Sequence, residues 1–175
     1  MRDFVKRIAV FLVILLLFAI VLFVSVFAVV SRQNGAIEDA VYDYTEKYVN
    51  AVAKKEISDV SADSELMLSS MSESLTGKAF DEITGSLSSA YQYVSAGSKT
   101  VNNFEKKILS VDIDRRYGSI VATARSFVRF DGWGEYLTGE TTNINMTCVC
   151  LDIYTMQKVD GVWKIASIKT EFEGE

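Results

Sequence analysis

The stretch NMTCVCLDIYTMQKVDGVWKIASIKTEF, residues 145–172, decides the fold because it predicts two long strands joined by a tight turn. Apolar and polar side chains alternate along its first half, and a period of two is typical of a strand. Asp160-Gly161 separates the two halves, and this dipeptide between apolar residues indicates a two-residue hairpin turn. We therefore predict an antiparallel pair whose second strand runs from Trp163 to Phe172.

Two segments upstream show the same alternation. In residues 109–113 the odd-numbered positions are apolar, and residues 120–129 alternate in a similar way. A turn is predicted between them over 115–119, and a loop is predicted over 131–136. Together with the closing pair, these segments predict a meander of four antiparallel strands.

Before residue 97 the apolar residues follow a period of 3.6 instead of two. Residues 36–55 place five of them on one face of an amphipathic helix, namely Ile37, Val41, Tyr44, Tyr48 and Val52. Two further helices are predicted over 62–75 and 78–95, with Gly97 ending the third. Helices followed by an antiparallel meander indicate an α+β domain whose curved sheet wraps the helices.

Residues 8–30 are apolar apart from Ser25 and contain no charge, Gly or Pro. A helix of this length spans about 34 Å, which is enough to cross a hydrocarbon core of about 30 Å. We predict a transmembrane anchor over 8–30. Asn34-Gly35 is expected to interrupt the helix within a linker over 31–35, before a folded domain over 36–175.

Three basic residues, Arg2, Lys6 and Arg7, precede the span, together with a single acidic residue. An excess of Lys and Arg on one side of a span favours the cytoplasm for that side. We expect a single-pass protein of the cell membrane, with residues 1–7 in the cytoplasm and the C-terminal domain outside it. The alternative is a cleaved signal peptide ending near Ala28, although the apolar region of such a peptide runs over only about 7–15 residues.

Charge and composition restrict the classes of partner and chemistry. Because residues 1–32 carry a net charge of +3, the remainder carries a formal net charge of −8. This balance argues against nucleic acid as a partner, since phosphate binding needs a basic face. The chain has no His, the commonest general base near neutral pH and a frequent metal ligand. We therefore expect no catalytic set, no metal site and no cofactor.

Cys148 and Cys150 are separated by one residue of a predicted strand. Their side chains should point to the same face, with the Cα atoms near the upper distance for a disulfide. We interpret them as two small apolar residues on a buried face. A disulfide or redox pair is the alternative.

Three helices, a four-strand meander and the closing segment Asp160-Gly161-Val162-Trp163-Lys164-Ile165 resemble the nuclear transport factor 2-like, or cystatin-like, fold. In that fold a bent sheet cradles a first helix, here Tyr42 to Lys55, and the last hairpin commonly reads D-G-x-W-x-I. The resemblance covers about residues 36–173 and implies that Trp163 packs beneath the sheet.

Joined to an N-terminal span, such a domain is similar to the anchored scaffold subunits of conjugation and type IV secretion machines. It is also similar to the membrane proteins associated with lipid-transfer systems of mycobacterial type. The resemblance implies a noncatalytic, membrane-tethered domain that assembles with an envelope complex, through a protein partner or further copies of itself. The alternative is a small-ligand binder or enzyme that uses the cone of the sheet.

The cone would hold three candidate pocket residues, Tyr44, Asp152 and Tyr154. A carboxyl on an apolar face can have a raised pKa and abstract a proton, while either tyrosine donates to an oxyanion. The alternative, which we favour, is that Asp152 is exposed to solvent or pairs with Arg125 or Arg129.

Trp133 and Tyr136 are candidate interface residues because they place two large aromatic side chains among glycines on the predicted loop. Aromatic residues on loops are frequent anchors of protein interfaces. The alternative is that this loop folds back over the cone as a lid.

A Cys placed at residue 60 tests the predicted orientation. With Cys148 and Cys150 replaced, it should react with a membrane-impermeant thiol reagent in intact cells, because the domain is expected outside the cytoplasm. Labelling that requires lysis would place the domain inside. A mature product starting near Val29 would show that the apolar segment is a cleaved signal.

Overall fold

The computed structural model describes residues 2–116, 118–135 and 141–173. The helices are α1 (Arg2–Val52), α2 (Val60–Ser74) and α3 (Gly77–Ser95), and the strands are β1 (Lys99–Arg116), β2 (Ser119–Glu135), β3 (Thr141–Val159) and β4 (Val162–Phe172). The strands form one antiparallel sheet in the order β1-β2-β3-β4. This confirms the predicted α+β class, in which three helices precede and pack on a four-strand meander.

The chain divides into two compact units, Met1–Ala36 and Ile37–Glu175. In the first unit, Leu12 and the large apolar side chains from Ile14 to Val29 keep between 50% and 74% of their surface exposed. Among the described helices, α1 is the one that is long and apolar enough to cross a membrane, with a mean hydropathy of 3.1 over its apolar part. This agrees with the anchor predicted over 8–30.

The predicted interruption at Asn34-Gly35 is wrong, because α1 continues through both residues and the expected linker over 31–35 is helical. A single Gly in a helix interior costs about 1 kcal/mol relative to Ala, which is too little to end a long helix. Pro would both remove a main-chain donor and clash with the preceding turn, and the chain has no Pro.

The core of the second unit lies between one face of the sheet, here called the inner face, and the helices. α1 contributes Ile37, Val41 and Tyr44, each at most 3% exposed, which confirms the predicted helix face. The other elements complete the buried cluster with Met67, Met71, Leu75, Ala79, Leu87, Tyr91, Ala122, Ala124, Tyr154, Met156 and Ile165.

The closing hairpin has the predicted geometry. Asp160 and Gly161 both have positive φ, 51° and 86°, as a type I′ turn requires. Trp163 follows the turn and is partly buried against the core. β4 is also joined to the end of α2, since Leu75 forms a parallel bridge with Ile165.

Strand β1 is longer than predicted, since residues 99–108 also pair with β2. Its register shifts once between Val101 and Asn103 and again between Ile108 and Ser110. The second shift changes which side chains face inward, because an extra residue on one strand reverses the alternation. Ile108 packs against the core while Leu109 is 47% exposed, so the expected shared face of Leu109 with residues 111 and 113 is wrong.

The predicted loop over 131–136 is wrong in its described part, because β2 continues to Glu135 and pairs with both neighbouring strands. Gly132 is buried here, and a Cβ at this position would lie 2.5 Å from the main-chain oxygen of Thr100. The glycine therefore permits the close approach of β1 and does not mark a turn.

Gly132→Ala should lower the free energy of unfolding by about 1–3 kcal/mol, because the added methyl group overlaps the main chain of β1. Gly134→Ala, in the same strand, is the matched control, since its Cβ meets open space. Thermal unfolding of the full-length protein in detergent should give a lower Tm for the first variant only. Equal Tm values would show that β1 moves aside at no cost.

Candidate functional site

The structure brings together the three residues predicted for the pocket. Tyr44 of α1 and Tyr154 of β3 pack edge to face, with ring centroids 5.9 Å apart. Asp152 lies two residues before Tyr154 on β3 and therefore on the same, inner face. All three are at most 3% exposed. The expected pocket is thus a filled part of the core.

The Asp152 carboxylate forms an ion pair with Lys106 of β1. The Lys106 Nζ lies 2.7 Å from Asp152 Oδ2, and the side chains are only 10% and 2% exposed. Thr170 of β4 donates its hydroxyl to Oδ1 at 2.7 Å, and Ser126 of β2 donates to Oδ2 at 3.3 Å. Asp152 therefore receives one polar group from each of the other three strands.

We predicted that Asp152 is exposed to solvent or paired with Arg125 or Arg129, and both predictions are wrong. Asp152 is buried and pairs with Lys106. In the sheet Asp152 lies opposite Ala124, and directly opposed residues share a face. The two arginines lie on the other face, where Arg125 makes a two-pronged ion pair with Glu173 at 2.7 and 2.8 Å. The alternation of β2, already visible in the sequence, places the arginines away from the core.

Sequence reasoning missed Lys106 because β1 was predicted to begin at residue 109. Lys106 lies between the inward positions of Phe104 and Ile108. Its ammonium also lies 5.8 Å from the centroid of the Tyr48 ring, within the range of a cation–π contact. The available signal was that Lys106 occupies a position where the strand alternation expects an apolar, inward-facing residue. A buried Lys at such a position indicates an acidic partner on a neighbouring strand.

Burial keeps the tyrosines of the inner face neutral. Desolvation is the main cause that raises the pKa of Tyr44 and of Tyr154 well above the ordinary value, and the negative charge of Asp152 adds to it. Desolvation, followed by the Asp152 charge, also raises the pKa of Cys150 to about 11. At neutral pH these groups keep their protons and act only as hydrogen-bond donors or packing groups.

The Tyr154 hydroxyl has no hydrogen-bond partner among the described residues. Thr45 acts to lower the pKa of Tyr154, against the larger effect of burial, but the Thr45 hydroxyl donates to the main-chain oxygen of Val41. The Asp152 carboxylate is occupied by the Lys106 ammonium at 2.7 Å, and the neighbouring tyrosines stay protonated. The arrangement is therefore suited to holding the sheet together.

The described residues contain no group of three or more Cys, Asp or Glu side chains placed to hold a metal ion. Cys148 and Cys150 are both free thiols on the inner face, with Cys150 buried and Cys148 half-buried. This matches their interpretation as two small residues on a strand face.

An open groove borders the buried ion pair. It has a volume of about 450 Å³ and runs between Tyr42, Glu46 and Val49 of α1 and residues 106–108 of β1. Clefts of this size admit small ligands. Lys106 is the residue that connects the groove with the buried network.

Trp133 lies nine residues beyond Ala124 on β2, so it is about 30 Å along the strand from the position opposite Asp152. It is half-buried and pairs with Thr100 on one side and Asn143 on the other. Tyr136, the second candidate interface residue, lies outside the described residues. The structure therefore does not bring the interface and pocket candidates together.

No protein-family model matches the chain, and the curated proteins contain no match. Among solved structures, the chain is similar to the intermembrane space region of the chloroplast protein ARC6, with a TM-score of 0.50 and 13% identity. That likeness covers 78% of this chain and 94% of the other. At this identity it shows a shared fold.

Two further solved structures are less similar. One is a protein from Catenulispora acidiphila, with a TM-score of 0.44, 12% identity, and coverage of 81% of this chain and 94% of that chain. The other is described as an NTF2-like protein with a cystatin-like fold from Novosphingobium aromaticivorans, with a TM-score of 0.43 and 11% identity. It covers 83% of this chain and 88% of its own.

Asp152→Asn should lower the free energy of unfolding by about 3–5 kcal/mol, because it leaves the Lys106 ammonium buried without its counter-charge. Combining Lys106→Met with Asp152→Leu should recover most of this loss, since an apolar pair of similar volume removes both desolvated charges. Chemical denaturation of the wild type and the two variants measures the difference. A double variant as unstable as Asp152→Asn would show that the hydrogen bonds from Thr170 and Ser126 matter more than the charge pair.

Proposed function

We propose that this chain is a noncatalytic, membrane-tethered interaction domain that lies outside the cytoplasm. It assembles with an envelope complex of the secretion, conjugation or transport type. The observation that carries the proposal is the closed network around Asp152. The strongest candidate for acid–base chemistry is paired with Lys106 and is only 1% exposed. With the inner face around Asp152 used for core packing, the domain has its outer face, its strand edges and the exposed end of the sheet to offer to partners.

The apolar part of α1 supports the tether. Its side chains from Ile14 to Val29 are exposed, and lipid is the environment in which such an apolar surface is stable. A tether confines the domain to one membrane and raises its effective concentration towards partners in the same membrane. Weak contacts are then sufficient for assembly.

Exposed apolar residues at one end of the sheet support an interaction role. Ile144, Met146 and Phe172 keep 44%, 39% and 51% of their surface exposed. They lie on β3 and at the end of β4, among Asn and Thr residues. Exposed apolar patches with polar surroundings mark protein contacts. Trp133 pairs with Asn143 at the same end of the sheet but on its other face, so its proposed role as an interface residue would use the outer face.

A second candidate function is favoured by the groove beside Lys106. Its volume of about 450 Å³ suits a small ligand, and a ligand with an anionic group would meet Lys106 and Lys107. Lys106 is already paired with Asp152, which reduces the charge that it offers to such a ligand.

Recovery of partners from membranes tests the two functions. Tagged full-length protein is extracted in mild detergent and compared with Trp133→Ala and with Lys106→Met/Asp152→Leu. The double variant should recover the same chains as the wild type, while Trp133→Ala should recover at least about tenfold less of a partner that it anchors. Matched melting curves serve as the control for folding. Loss of a bound small molecule from the double variant, with Trp133→Ala unchanged, would favour the ligand-binding function instead.

A further inference from the structure

The first half of β3 has a free edge. β4 pairs with β3 only as far as Cys150, opposite Phe172. The N–H of Glu173 then donates the last hydrogen bond to the Val149 oxygen at 2.9 Å. Residues 141–148 therefore pair with β2 on one side and have no strand on the other within the described part of the chain.

This edge lacks the features that usually protect an exposed strand. Residues 141–151 read TTNINMTCVCL and contain no charge, Pro or Gly, and the β2–β3 ladder shows no register shift. Natural edge strands carry charged residues, Pro or bulges because their unpaired N–H and C=O groups would otherwise accept a further strand. A regular, uncharged edge is therefore suited to strand addition.

The opposite edge of the sheet, formed by β1, carries the charged residues and irregularities that the start of β3 lacks. It has two register shifts, and eight of its residues between Lys99 and Arg116 are charged. The outer edge of β4 is joined to α2 through the bridge between Leu75 and Ile165. The contrast within one sheet singles out the start of β3.

The free edge has a self-complementary geometry. Because Val149 accepts a hydrogen bond from the β4 side, alternation directs the main-chain groups of Thr147, Asn145 and Asn143 to the same open side. In an antiparallel pair centred on Asn145, this residue lies opposite Asn145 of a second copy, and Thr147 lies opposite Asn143. Each of these opposed pairs exchanges two main-chain hydrogen bonds.

The same register also covers apolar surface. Ile144 lies opposite Met146 of the second copy, on the inner face of both sheets. Phe172 lies on this face too, since it opposes Cys150. Ile144 and Met146 of the two copies thus form one shared apolar patch around the two-fold axis, and Phe172 lies on the same face about 16 Å from the axis along the strand.

We propose that two copies of this chain pair antiparallel through residues 143–147 of β3, about a two-fold axis at Asn145, and form one continuous sheet. The proposal rests on the interaction function above and names a second copy as the partner. Residues 33–175 carry a net charge of −8, so two copies repel over much of their surface, whereas the pairing segment is uncharged. Tethering in one membrane offsets the remaining repulsion by raising the effective concentration.

Disulfide cross-linking in native membranes tests the pairing. In the proposed register the Asn145 Cα atoms lie about 5.5 Å apart, within the range of a disulfide. Asn145→Cys should therefore form a covalent dimer of the full-length chain under mild oxidation. Asn103→Cys, an exposed Asn on the β1 edge, is the matched control and should give at least about tenfold less dimer. The native Cys148 residues would lie about 20 Å apart and should not cross-link.

A charge-swap experiment tests the two-fold axis. Asn145→Lys and Asn145→Glu each place like charges opposite one another, so each variant should self-associate up to about fivefold more weakly than the wild type. Mixed Asn145→Lys and Asn145→Glu chains with different tags should recover each other better than either recovers itself. The same two substitutions at Asn103 should leave association unchanged, and melting curves confirm folding.

Several results would overturn the pairing. These are a dimer yield from Asn145→Cys no higher than from Asn103→Cys, a cross-linked product containing a different protein, or equal recovery in all charge mixtures. The proposed function fails on a different result, namely full-length protein that recovers no other chain, of its own kind or another, after extraction. Wild-type partners recovered without an Asn145 cross-link would overturn the self-pairing alone.

Discussion

The buried Asp152 carboxylate sets the main constraint on this sheet. A charge at 1% exposure is stable only if its partners are present, and here they come from three different strands as Lys106, Ser126 and Thr170. A slip of one residue in any strand would turn its donor to the opposite face. The acid therefore disfavours other registers of all four strands, because a slipped strand would leave the charge without one of its partners.

The sequence predicted those features that depend on local periodicity and turn chemistry. The buried face of α1, the turn at Asp160-Gly161 and the shared inner face of Asp152 and Tyr154 belong to this class. Features that depend on pairing between distant segments were not predictable. Lys106 meets Asp152 only because of the strand register, and Gly132 serves a close contact with β1 that composition alone cannot distinguish from a turn.

α1 shows two kinds of apolar pattern in one helix. Over residues 12–29 apolar side chains occur all round, as in a helix surrounded by lipid. From Ile37 onward they lie on one face only, as in a helix packed against a sheet. The change between the two patterns takes place without Pro or a break, so helical structure alone does not reveal where the anchor ends and the domain begins.

The meander order of the strands determines the order in which they can pair during folding. Each strand pairs with the strand before it, so β1, β2 and β3 can form their ladders by short-range steps of the kind that fold quickly. β4 follows them along the chain, and it both supplies Thr170 and links the sheet to the helices, through the Thr76 N–H that donates to the Ile165 oxygen at 2.9 Å. A ribosome releases this strand after all the others. The main-chain link between the end of α2 and the sheet, and the Thr170 hydrogen bond to Asp152, therefore form only when β4 docks. A chain in which β4 has not docked exposes the whole length of β3 as an edge.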